Sequence, residues 1–142
     1  MKRNMLGVTL IELMVVIVVL SILASIAVPS YRSYLIRAQR SEGTSALLQI
    51  QQAQEKFFLQ NSRYATNAEL PLAPPNGLGL TIVTANNRYD IGLINVTQTT
   101  YTATAAPHAG GGQTDDTKCT QMSINEQGVR NSTPSAISVC WK

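Results

Sequence analysis

Glu12 is the carboxylate least suited to its surroundings. From Leu13 to Val28 the only polar residues are Ser21 and Ser25, so Val8–Val28 forms one apolar run of 21 residues with Glu12 inside it. An unpaired carboxylate at mid-bilayer costs about 2.5–3.5 kcal/mol on insertion scales, and less near an interface. Close to the start of the run, Glu12 costs little in a membrane. In a protein core it would cost more and would need a cation. The nearest natural one is a free amino terminus made by cleavage between Gly7 and Val8.

Little else in the chain has the makings of a reactive site. His108 is the only histidine and lies in a Gly/Pro/Ala loop, where a solvated side chain is the plain reading. No nucleophile–base set, metal-spaced Cys/His cluster or phosphate-binding glycine loop is visible. The chain therefore reads as a non-enzyme with no cofactor, no metal and no direct small-molecule substrate. Asp115 and Asp116 beside Gly110–Gly112 admit calcium, but a solvated turn is preferred. Asn95–Val96–Thr97 and Asn131–Ser132–Thr133 match a short glycan-acceptor pattern. Net charge is +3, and removing Lys2 and Arg3 with Met1–Gly7 leaves 9 basic against 8 acidic residues, or +1. A nearly neutral head is not an electrostatic nucleic-acid binder.

At 1.5 Å per residue the run Val8–Val28 spans roughly 30 Å, the hydrocarbon thickness of a bilayer. Lys2 and Arg3 precede it, and after Glu12 the next charge is Arg32. The positive-inside rule keeps Met1 cytoplasmic and exports the chain beyond Val28. The run is too long for a secretory signal peptide, whereas a plain single-pass anchor stays open. Export makes a disulfide the expected state of the only two cysteines, Cys119 and Cys140, the alternative being two unrelated buried thiols.

Helical character continues past Pro29, which removes one backbone hydrogen bond, to the Ser25 carbonyl, and bends the helix. Tyr31–Gln60 contains no further proline. Ile36, Gly43, Ile50 and Phe57 recur every seven residues, and Ala46, Leu47, Ala53 and Phe58 widen the stripe. Arg37, Arg40, Glu42, Glu55 and Lys56 mostly mark the wet side. A helix apolar all round in its first half and striped in its second docks its second half on a head. Its first half must be covered by lipid or by identical helices, at ~1.5–3 kcal/mol per buried Leu- or Ile-sized side chain.

In the head, Asn61–Asn76 reads as a loop. Gly79–Ala85, Tyr89–Asn95 and Thr99–Ala106 read as an antiparallel meander. Pro107–Asp116 reads as Gly-rich and flexible, Cys119–Asn125 as a fourth strand and Ile137–Trp141 as a fifth, edge element. The expected class is α+β, a long N-terminal α-helix with a transmembrane first half, packed on a small antiparallel β-sheet head. The organisation is leader 1–7, membrane or filament-core helix 8–28, amphipathic helix 29–60 and exported head 61–142.

Gly7–Val8–Thr9–Leu10–Ile11–Glu12–Leu13, with the apolar run and Pro29 after it, resembles the class III signal of type IV pilins and type II secretion pseudopilins. Arg63–Tyr64–Ala65 is similar to a loop motif of many pilins. The run Asp115–Cys119, then Asn125–Arg130, then Cys140–Trp141, resembles PilE-type minor pilins. The resemblance implies that a prepilin peptidase cuts after Gly7 and methylates Val8, where the family usually has Phe. It implies that Glu12 and Pro29 are the family's acidic and helix-kink positions, and that Cys119 and Cys140 bound a disulfide loop. The implied function is a structural subunit of a type IV pilus: a minor pilin that helps initiate assembly or is incorporated, supporting twitching motility, adhesion or DNA uptake. A major pilin and a secretion pseudopilin are the alternatives. The implied partners are other pilin subunits through the N-terminal helix, the peptidase and the inner-membrane assembly platform. The implied locations are the bacterial inner membrane, with the head in the periplasm, and then the extracellular pilus.

Overall fold

The computed structural model describes residues 8–141. The leader 1–7, with Gly7, and Lys142 lie outside the described residues. The chain divides into two units, Met1–Leu35 and Ile36–Lys142, and one helix, α1 (Leu10–Asn61), contributes to both.

Thr9 starts α1 by accepting the Glu12 N–H on its hydroxyl at 3.3 Å, which satisfies one of the orphan donors of a helix start. Glu12 thus falls in the first turn, where the helix dipole favours an anion. Ser21 and Ser25 donate to the carbonyls of Ile17 and Ile22, each at 2.7 Å, so neither hydroxyl needs water. Pro29 lies inside α1, and the helix continues to Asn61. It ends where Ser62 turns left-handed (φ 54°) and its N–H returns to Phe58 O at 2.8 Å.

The head is a four-stranded antiparallel meander in the order β1 (Tyr89–Ile94), β2 (Thr102–Pro107), β3 (Cys119–Asn125), β4 (Arg130–Pro134). The α+β class is as expected. On α1, Leu47, Ile50 and Phe57 are buried, as are Tyr89, Ile91, Leu93, Ala103, Ala105, Met122 and Ile124 from the sheet; together they form one core. Gly43 marks a close approach, because a Cβ there would lie 2.7 Å from Met122 Cε and 3.2 Å from the Tyr89 ring.

Three expectations are corrected. Gly79–Ala85 is not a strand. It makes one bridge, Val83 to Asp90, while Leu80 N bonds back to Leu70 O. The segment caps the free edge of β1, with Ile82 O accepting from Ile91 N at 2.8 Å. Ile137–Trp141 is not a strand either: Ile137–Cys140 forms a short helix, α2. The strand at that edge is β4, whose sequence Arg-Asn-Ser-Thr-Pro is polar on both faces. The loop 61–76 also holds a 3-10 turn at Asn67–Glu69.

Candidate functional site

Every residue from Val8 to Tyr34 is exposed. Val8 is 70%, Leu10 80% and Ile26 68% accessible, and no large side chain of the run is less than 49% so. Soluble chains do not leave apolar patches of this extent bare. The helix is long and apolar enough to cross a membrane, and its most apolar window is 0% buried. Val8, Glu12 and Pro29 all lie on this uncovered segment. Among the described residues no cation comes within ion-pair distance of Glu12.

The second set of residues lies in the head. Cys119 and Cys140 form a disulfide with Cα atoms 5.7 Å apart, and both are buried. The loop they close carries β4 and α2. It is fastened to α1 by Arg40, which the sequence placed on the wet side. Arg40 is 6% exposed and Asp116 2% exposed. The guanidinium donates to the two Asp116 oxygens at 2.7 and 2.8 Å and to Val139 O at 2.9 Å. Asp116 also accepts from the N–H groups of Lys118 and Cys119. Asp116 is therefore no solvated turn residue but the other half of a buried ion pair. Its hydrogen bond raises the Arg40 pKa against the opposing effect of burial.

Gln113, fully buried, adds a bond from its amide to Ile36 O at 3.1 Å and to Asp116 at 3.2 Å. The segment read as flexible is thus pinned at both ends, since His108 N also bonds to Arg88 O. His108 is not a bare loop side chain: its Nδ1 lies 2.6 Å from Asp90 Oδ1. Glu42, also assigned to the wet side, bonds the Asn86 backbone and side chain and sits 3.3 Å from Arg88.

At the other end of the head, Gln54 is fully buried. It donates to Ala65 O at 2.9 Å and accepts from Ala65 N at 2.8 Å, which locks Arg63–Tyr64–Ala65 onto α1. Arg63 pairs with Glu69 at 2.6 Å and holds that carboxyl down at about 2, despite partial burial and helped by Thr66. No group of three His, Cys, Asp or Glu among the described residues is placed to hold a metal.

Sequence reasoning gave Trp141 no role of its own. Its Nε1 donates to Asn131 O at 2.9 Å, and Arg130 lies 5.0 Å over its ring. These contacts seal the edge of β4 beside the disulfide.

Residues 29–123 match the family described as "Type IV minor pilin ComP, DNA uptake sequence receptor". Residues 2–28 match the prokaryotic N-terminal methylation motif. Among curated relatives, the type IV major pilin protein PilA of Myxococcus xanthus is 40% identical over 72 residues, which is 50% of this chain and 33% of that one. The type II secretion system core protein G of Aeromonas hydrophila is 38% identical over 68 residues, 48% of each chain. The chain thus spans a third to a half of the length of these relatives. Among solved structures, the non-core minor pilin PilV of Neisseria meningitidis aligns with TM-score 0.55 at 20% identity, over 71% of this chain and 89% of that one. A type IV pilin of Shewanella oneidensis aligns with TM-score 0.50 at 19% identity, over 75% and 98%. These likenesses concern the fold.

Proposed function

We propose, from the premise that this chain belongs to the type IV pilin family, that it is a minor pilin whose N-terminal helix serves in two environments. It waits in the inner membrane with its head in the periplasm. A prepilin peptidase removes Met1–Gly7 and methylates Val8. The assembly platform then moves the helix from lipid into a filament core of like helices, where Glu12 neutralises the amino group of Val8 on an adjacent subunit and sets the axial register. It acts as a structural subunit and catalyses no reaction.

The observation that carries this reading is the unbroken exposure of Val8–Tyr34. An uncovered apolar helix needs lipid or protein around it, and a carboxylate in its first turn needs a cation once the lipid interface is left behind. Glu12→Ala is expected to insert into the membrane as the native chain does and to be missing from sheared filaments. Its appearance there at the native level would sink the register role.

The match to a family described as a DNA uptake sequence receptor favours DNA uptake among the roles a minor pilin serves. The near-neutral charge of the processed chain does not forbid it, because Lys118 and Arg130 are both exposed on the head. Deleting the chain is expected to lower transformation more than twitching. A secretion pseudopilin is the second reading, favoured by the likeness to core protein G. Under that reading deletion blocks protein export and leaves transformation intact.

A further inference from the structure

An asparagine amide carbon is open to attack by the backbone nitrogen of the next residue, a step that proximity within one chain favours. The fold closes this route at most asparagines of the head. Asn61 donates its side-chain amide to Phe57 O, and Asn86 donates its own to Glu42. The Oδ1 atoms of Asn67, Asn125 and Asn131 accept backbone N–H groups. After Asn87, the N–H of Arg88 is held by Thr84 Oγ1 at 3.2 Å. Asn95 is followed by Val96, whose branched side chain crowds the nitrogen.

Asn76 is open on both counts. It is exposed, and among the described residues its side chain makes no hydrogen bond. Gly77 follows it and has no side chain to shield its nitrogen. Around this pair, Asn76 N bonds Ala73 O, Leu78 N bonds Glu69 O, Gly79 N bonds Leu72 O and Leu80 N bonds Leu70 O. In that run only the Gly77 N–H makes no hydrogen bond, although Gly77 is buried, and unpaired N–H groups in buried residues are rare. Packing also holds the position to glycine, since a Cβ there would lie 2.1 Å from Glu69 O and 2.6 Å from Leu72 Cβ.

We propose that Asn76–Gly77 is a self-modification site at which Asn76 loses its amide. The Gly77 nitrogen gives up its proton and bonds to Asn76 Cγ, and the Cγ–Nδ2 bond breaks as Nδ2 leaves with a proton as ammonia. The succinimide so formed takes up water. Opening at Cγ gives an aspartate. Opening at the main-chain carbonyl carbon gives an isoaspartate, whose main chain runs through the side-chain carbons. The attack needs no solvent path to buried Gly77, and water reaches the exposed Asn76. Either product adds a carboxylate, which brings the 9 basic and 8 acidic residues of the processed chain into balance. The isoaspartate also lengthens the main chain just before Leu78. That residue is 7% exposed and anchored by its bond to Glu69 O, so its anchor loosens.

The test incubates the full chain, folded in detergent micelles, at mildly alkaline pH. Its peptides are then mapped by mass, with fragmentation that separates aspartate from isoaspartate. The mass gain of an amide-to-acid change is expected at Asn76 before any other asparagine, with isoaspartate among the products. It is expected severalfold faster than at mildly acidic pH, because the nitrogen attacks in its deprotonated form. The folded chain is expected to convert Asn76 within severalfold of its rate in urea. Hydrogen exchange at Leu78 is expected to speed up in the isoaspartate form. Asn76→Gln is expected to melt as the native chain does and to lose the early mass gain. The proposal is overturned by an Asn76 amide that persists in the folded chain, whatever happens in urea, or by equal loss at Asn87 and Asn95. Conversion to aspartate alone, unchanged exchange at Leu78 in the isoaspartate form, or an early mass gain that persists in Asn76→Gln would overturn it as well.

Discussion

Between Val8 and Tyr34 all residues of α1 are exposed, whatever their chemistry, whereas between Arg40 and Phe57 the same helix buries Arg40, Gly43, Thr44, Leu47, Ile50, Gln54 and Phe57. Among the described residues the first segment buries none of its side chains. The second is covered by a sheet, and even its polar groups are partnered: Arg40 by Asp116, Gln54 by Ala65. A helix built this way stores its apolar surface for something outside the chain in one half and completes a fold with the other. Changes in one half should therefore leave the other's behaviour alone.

Asp116→Ala tests that separation most severely. It strands a guanidinium that is 6% exposed, and breaking a buried pair costs about 3–5 kcal/mol. Chemical denaturation of the head should show this loss, while the chain still partitions into detergent or membrane like the native one. The reciprocal change, Val18→Asp, places a carboxylate near the middle of the apolar run at about 2.5–3.5 kcal/mol in a bilayer. Membrane insertion should fall, with the melting of the head unchanged.

Replacing both Cys119 and Cys140 by Ser opens a loop with a sequence separation of 21, worth about 3 kcal/mol in the chain-entropy model. If Arg40 fastens the loop as described, the unbridged head is weaker but still folds, and hydrogen exchange speeds up first in residues 136–141.

The smallest effect is on pH dependence. Glu69 titrates at about 2 in the folded chain, below its ordinary 4.5. A depressed carboxyl contributes stability that is complete above the unfolded pKa and is lost as pH falls through the folded one. Unfolding free energy should thus decline between about pH 4.5 and pH 2, and Glu69→Gln should flatten that part of the curve.

The parts of the fold legible in the sequence were those with a period. The seven-residue spacing of Gly43, Ile50 and Phe57 gave the buried face of α1, and alternation gave β1 and much of β2. What escaped was polar or irregular. β4 has no apolar alternation to betray it, because its edge is sealed by Trp141 and its own side chains. Gly79–Ala85 has the β-branched composition of a strand, yet its backbone is drawn between Leu70 on one side and β1 on the other.

Arg40 was legible by position and misread by type, and Gln54, equally legible by position, was passed over. Arg40 is four residues after Ile36 and three before Gly43, on the stripe itself. Gln54 is four after Ile50 and three before Phe57. A charged or amide residue at a stripe position signals a buried partner, and here the partners were Asp116 and the backbone of Ala65. For the N-terminal segment the relation is reversed: Gly7, Val8, Glu12 and Pro29 stand out in sequence, while the single chain surrounds none of the described ones with packing partners.

The central claim is that Val8 begins the mature chain and carries the amino group that Glu12 needs. Intact-mass analysis of the protein recovered from membranes and from sheared filaments tests it most directly. The account predicts a chain that lacks Met1–Gly7 and carries one methyl group on Val8. A chain that still begins at Met1 in both fractions would contradict it.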